Sequence, residues 1–86
     1  MAHIEGHVQG VGFRYYTQLK AEQLGIRGWV RNLSDGSVES YICGDVDQIQ
    51  NMQCWFTHGP SGANVTNVEY SSSDLAEQQQ DFSVRY

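Results

Sequence analysis

The chain has 86 residues and a formal net charge of −5, with 40% hydrophobic and 17% charged residues. That length gives one domain with one modest core, and the composition is that of a folded chain rather than a disordered one. The acidic balance excludes a face built to neutralise nucleic-acid phosphates. There is no apolar run long enough to span a membrane, and no signal peptide.

Ala2 to Val8 reads as a first strand with weak alternation. It runs into Gly6-His7-Val8-Gln9-Gly10-Val11-Gly12-Phe13-Arg14, which has three glycines in seven residues and no acidic side chain. Phe13 to Leu24 then reads as a helix, because Phe13, Thr17, Ala21 and Leu24 recur at steps of four, four and three. Gly25 follows as a C-cap stop. A glycine-rich turn that opens a helix is a ready anion site. The first helical N–H groups have no partner within the helix, and the helix dipole is positive there. Glycine lets successive amides face one concavity, and Arg14 adds a permanent charge with a fork of donors suited to phosphate oxygens. Spacing alone equally allows a tight strand-to-helix turn beside an ordinary surface arginine. The stretch lacks the Gly-Lys-Ser/Thr ending of a nucleoside-triphosphate loop. Its glycines at 6, 10 and 12 do not make the dinucleotide fingerprint. The ligand implied is smaller than a nucleotide. Tyr15 and Tyr16 either pack along the helix with their hydroxyls in water or form an aromatic wall beside the loop.

Ile26 to Leu33 is the second strand, and Asp35-Gly36 marks a hairpin. Val38 to Cys43 is the third, with Val38, Ser40 and Ile42 on one face and Glu39, Tyr41 and Cys43 on the other. The next element begins at Gly44-Asp45. Asp45 or Asp47 is its N-cap and Ile49, Met52, Trp55 and Phe56 form its apolar stripe. Trp55 reads as core. His58-Gly59-Pro60 ends this helix. Ala63 to Tyr70 is a fourth strand in which Val65 and Val68 fall on opposite parities, a hint of a bulge or twist. Ser71 to Asp81 is polar and of low complexity and reads as a mobile surface loop. Phe82 to Tyr86 alternates and forms a last short strand.

The order is β-α-β-β-α-β plus a terminal strand. It predicts a single domain over residues 1–86, an α+β sandwich of the ferredoxin-like kind. The sheet is antiparallel, both helices lie on one face, and a short C-terminal strand closes the chain. The first two strands then end at the same edge of the sheet. With the third strand between them, Asn32 stands about two strand spacings, roughly 10 Å, from the glycine loop. Asn32 offers a donor and an acceptor, enough to hold a water beside a bound anion. An asparagine next to a turn can equally cap the hairpin. Cys43 and Cys54 read as reduced thiols of a cytosolic protein. They and His3, His7 and His58 follow no ligand spacing, so neither metal nor cofactor is expected.

Gly6-His7-Val8-Gln9-Gly10-Val11-Gly12-Phe13-Arg14 resembles the G-x-V-Q-G-V-x-F-R signature of the acylphosphatase family. Gly28-Trp29-Val30-Arg31-Asn32-Leu33-Ser34-Asp35-Gly36-Ser37-Val38 resembles that family's second signature, G-W-V-x-N-x-x-D-G-x-V. The Gly59-Pro60 turn, Ala63-Asn64-Val65 and the closing Phe82-Ser83-Val84-Arg85-Tyr86 also fit, so the resemblance covers nearly the whole chain. It implies a small cytoplasmic hydrolase that splits carboxyl–phosphate anhydrides without a metal. It implies that Arg14 binds the phosphate and that Asn32 positions the attacking water. The amides of Val8, Gln9, Gly10 and Val11 would then hold phosphate oxygens together with Arg14. The expected partners are a small acyl phosphate and inorganic phosphate, the latter as product and competitive ligand. No nucleic acid or membrane is expected, and the chain is expected to be a monomer.

Two positions depart from the family's pattern. Only five residues precede Gly6, which shortens the first strand. His7 stands where arginine is frequent, which removes a charge near the loop. Three rival readings share the topology. A non-catalytic regulatory module that holds a small anion would keep the loop but have no use for Asn32. An RNA-binding domain would need exposed aromatics, of which Tyr41 is one candidate, on a basic sheet face. An acylphosphatase-like module of a larger carbamoyl-transfer protein is the third. Termini this close to the outer strands point to a free-standing domain.

Overall fold

The computed structural model describes residues 1–72 and 80–85. The elements are β1 (Ala2–His7), α1 (Phe13–Leu24), β2 (Arg27–Asn32), β3 (Val38–Cys43), α2 (Val46–His58), β4 (Asn64–Tyr70) and β5 (Phe82–Arg85). The order is the predicted one, with strand ends trimmed by a residue or so. Val8 leaves the ladder after His7 yet stays fully buried, as the first residue of the loop. The polar segment expected as a surface loop lies, over residues 73–79, outside the described residues, as does Tyr86.

One five-stranded sheet has the order β4-β1-β3-β2-β5. β3 pairs antiparallel with both β1 and β2, and β4 pairs antiparallel with β1. β1 and β2 therefore run the same way on either side of β3, and both end at one edge. β5 adds to the free side of β2 in parallel. The parity break between Val65 and Val68 corresponds to a bulge. Glu5 pairs with Asn67 and Gly6 with Val65, so Thr66 is an extra residue on β4.

The helices follow from their apolar stripes. α1 buries Phe13, Thr17 and Ala21, and Leu24 packs against the same core. Thr17 is tolerated there because its Oγ1 donates to the Phe13 carbonyl at 2.7 Å. Gly25 is left-handed, and its N–H satisfies carbonyls of the last turn. α2 begins with a capping box that selects Asp45 over Asp47 as the cap: the Asp45 N–H donates to Gln48 Oε1 at 2.8 Å while the Asp45 carboxylate receives the Gln48 N–H. Met52 and Phe56 are its buried residues. Trp55 packs against Phe13 and Phe56, with ring centroids 5.5 and 5.8 Å away, so its role is core. These residues close over Ala2, Ile4, Val30 and Val38 on one face of the sheet.

Among the described residues, the opposite face offers no open aromatic platform. Trp29 is only 4% exposed. The guanidiniums of Arg31 and Arg85 stand 5.3 and 4.6 Å from its ring, and Tyr41 stacks beside it. Arg31 is in turn paired with Glu39 across the β2–β3 ladder. The features an RNA-binding sheet would need are therefore already engaged with one another.

Candidate active site

The edge where β1 and β2 both end carries a cleft of about 240 Å³. Val8, Gln9 and Gly10 come from the loop after β1, and Gly12, Phe13, Arg14, Tyr15 and Gln18 from the start of α1. Asn32 comes from the end of β2 and Val84 from β5. Of the six residues singled out from the sequence, five meet here: Val8, Gln9, Gly10, Arg14 and Asn32. Val11 does not line the cleft, and its side chain packs against the core.

The loop leaves the helix end open. Gly12 is the N-cap with φ of 76°, a left-handed conformation that strains any residue with a Cβ. It has no side chain to bond the first-turn amides, and the first turn holds no acidic residue. The orphan N–H groups and the positive end of the helix dipole therefore remain available to an anion. Arg14 sits in the first turn of α1. Its Nη1 donates to the Arg85 carbonyl at 3.2 Å, which ties the guanidinium to the C-terminal strand. Gln18 donates to the Phe82 carbonyl at 3.3 Å, which holds β5 against the same helix.

Asn32 enters from across the cleft, and its side chain makes no hydrogen bond among the described residues. The hairpin is capped by other groups. Asp35 Oδ1 accepts from the Ser37 N–H at 3.0 Å and from the Ser37 hydroxyl. The Leu33 N–H donates to the Ser37 carbonyl at 2.9 Å, and the Gly36 N–H to the Leu33 carbonyl at 3.3 Å. The turn is thus held without the Asn32 amide.

The bonds from Ser37 also hold the Asp35 carboxyl below its usual value of 3.8, the hydroxyl contributing most and the backbone N–H next. A carboxylate favoured in the folded state stabilises the fold above pH 3.8 and loses that contribution as pH falls through its depressed folded-state pKa. In an NMR titration the Asp35 midpoint is expected below 3.8. Ser37→Ala moves it upward, and an unchanged midpoint in that variant would contradict the assignment.

The sequence missed two lining residues, Gln18 and Val84, whereas Tyr15, weighed from the sequence as a wall beside the loop, does line the cleft. Tyr15, 58% exposed, stands at the rim edge-on to Tyr16, whose ring centroid is 5.2 Å away, so the aromatic wall and the water-facing hydroxyl describe the same residue. Gln18 and Val84 complete the rim. Helical spacing from Arg14 could have pointed to Gln18, whereas nothing local marks Val84.

An α+β sandwich with an uncapped loop–helix anion cleft and an unengaged asparagine facing it is the frame of a small phosphate-handling hydrolase. The acylphosphatase family model matches residues 1–84. An acylphosphatase of Aeromonas salmonicida is 52% identical over 73 residues, covering 85% of this chain and 81% of that protein. The crystal structure of acylphosphatase from Bacillus subtilis superposes with a TM-score of 0.93 at 34% identity, over 99% of this chain and 94% of that one. A Coxiella burnetii acylphosphatase gives a TM-score of 0.91 at 43% identity, over 98% and 87% of the two chains. The chain belongs to the acylphosphatase family, and the activity that membership assigns is hydrolysis of acyl phosphates.

Proposed function

We propose that the cleft binds the phosphate group of an acyl phosphate through the amides of Val8, Gln9 and Gly10 and the Arg14 guanidinium, and that Asn32 orients a water in line with the departing carboxylate. Water oxygen bonds to phosphorus while the bond from phosphorus to the acyl oxygen breaks. The carboxylate leaves with the electron pair, and the water's protons end on phosphate and solvent. A carboxylate is a weak base and leaves without a general acid. Transfer to water then depends mostly on positioning and on stabilising phosphoryl charge, so the reaction needs neither a metal nor a cofactor. The acyl end projects past Tyr15, Gln18 and Val84. Inorganic phosphate, the product, competes for the same amides. The chain acts as a cytoplasmic monomer on a small molecule, and its net charge of −5 disfavours nucleic acid.

The observation that carries this reading is the side chain of Asn32, which lines the same cleft as the loop and is engaged by no other described group. A module that only held an anion would have no use for it. Benzoyl phosphate hydrolysis in excess chelator tests both parts. Wild-type turnover persists in chelator. Asn32→Ala loses about 10²-fold in kcat, the usual effect of removing one preorganised polar group. Inhibition by inorganic phosphate stays within a few-fold of wild type. If kcat and phosphate affinity fell together, Asn32 would be a phosphate ligand instead. If the folded wild-type chain bound phosphate without turnover, the regulatory module would be the better reading.

A further inference from the structure

Gln9 lies in the loop with its backbone amide among the proposed phosphate ligands, but its side chain turns the other way. Gln9 Nε2 donates to the Leu33 carbonyl at 2.7 Å and to the Ser37 carbonyl at 2.9 Å. Both partners are acceptors, so only the NH₂ end of the amide fits, and its two hydrogens are both used. Leu33 directly follows Asn32, and Ser37 directly precedes Val38, the residue that pairs with Asn32 in the ladder. One side chain thus grips both arms of the hairpin immediately beyond Asn32. The two carbonyls already accept from the Gly36 and Leu33 amides, respectively. Gln9 fills the remaining lone pair of each, and no other described side chain donates to either oxygen.

β2, which carries Asn32, is not a neighbour of β1, because β3 separates them, and the β1–β3 ladder stops at the Ile4–Val38 pair, short of both the β1–α1 loop and the hairpin turn. Ladder bonds fix each strand but not the distance between the loop and the hairpin tip. His3 adds a second tie at the hairpin's foot, its Nε2 lying 2.8 Å from the Ser37 hydroxyl. That hydroxyl's hydrogen points to Asp35, so His3 supplies the donor. His3 steadies the turn, whereas among the described residues Gln9 alone connects the turn to the loop.

We infer that Gln9 is a positioning residue: its carboxamide sets the distance between the phosphate-holding loop and Asn32, and through it the line of water attack. The inference rests on the role proposed above for Asn32. Its consequence is a division of labour within one residue, the backbone N–H serving the phosphate and the side chain serving the asparagine.

The test compares Gln9→Met, which keeps length and loses the donor, with wild type and Asn32→Ala, using benzoyl phosphate turnover and inhibition by inorganic phosphate. Gln9→Met is expected to lower kcat about tenfold, as displacement of a positioned group does, with phosphate inhibition within about twofold because the backbone amides remain. Combined with Asn32→Ala, it should cost almost nothing further, since there is no longer an asparagine to place. Gln9→Glu, which sets a carboxylate against two carbonyl oxygens and adds negative charge to the cleft, should lower kcat and weaken phosphate inhibition together. Should Gln9→Met not fold, Gln9→Ala gives the same pair of constants with no side chain to misfit. The inference is overturned if the Gln9 effect is equally large with and without Asn32, or if it falls on phosphate inhibition rather than kcat. Full activity of Asn32→Ala would instead sink the proposed role of Asn32, a separately readable result.

Discussion

Arg14→Ala is expected to lower kcat for benzoyl phosphate by about 10³ or more, beyond the 10²–10³ typical of losing one neutral preorganised donor. In the proposed role the guanidinium supplies a full charge to the negative oxygens of an acyl phosphate, in a cleft whose other lining residues are neutral. Phosphate inhibition should weaken in parallel, which separates Arg14 from Asn32. The variant also loses the bond to the Arg85 carbonyl, so melting temperature must be recorded beside turnover. That exposed hydrogen bond is by itself worth about 1 kcal/mol. Arg14→Lys keeps a charge but not the planar fork, so it should recover phosphate inhibition better than kcat. Near wild-type turnover in a folded Arg14→Ala chain would remove the arginine from the mechanism altogether.

Gly28→Ala is expected to be the most destabilising conservative change in the sheet. Gly28 has φ of +143°, and a Cβ there would stand 1.9 Å from the Tyr41 carbonyl oxygen and 2.8 Å from its carbon. Those are backbone atoms of β3, so no side chain can swing aside. β2 must move from β3, yet Gly28 also pairs with Phe82 of β5 and donates its N–H to the Asp81 carbonyl at 2.9 Å. Relief on one side disrupts the other. A loss of about 4 kcal/mol or more follows, which lowers the melting temperature by roughly 20 °C in a domain of this size. Gly36→Ala is the control. It has φ of +93° but nothing within 4 Å of the added carbon, so it carries only left-handed strain of about 1–2 kcal/mol. Circular dichroism melts of the two variants decide the matter, and equal shifts would refute the close-approach argument.

Most of the fold was legible because its signals are local. The Phe13–Thr17–Ala21 stripe, the Gly25 stop, the Asp35-Gly36 turn and the parity break at Val65 and Val68 each lie within a few residues of what they specify. The placement of Asn32 was legible for a topological reason: a strand between two parallel neighbours fixes their separation. What could not be read are contacts made by distant residues. Gln9 reaches carbonyls 24 and 28 residues away, and Arg14 one 71 residues away. No periodicity encodes a side chain bonding to backbone oxygens, because every residue supplies such an oxygen. Trp29 shows the same limit. Its burial comes from Arg31, Arg85 and Tyr41 packed around its ring.

The strand order also governs when the site comes into being. Of the paired strands, only β2 and β3 are joined by a short turn. β1 must find Val38–Ser40 on one side and Asn64–Tyr70 on the other. Such non-local pairings have to close long stretches of chain before their contacts stabilise anything, and they slow folding relative to a helical bundle of equal length. During synthesis the anion loop leaves the ribosome first but stays unframed until β4 follows, and the carbonyl that holds Arg14 belongs to β5. The residues made earliest are thus among the last to be fixed. A nascent chain stalled before β5 carries every residue of the phosphate loop and should have no activity.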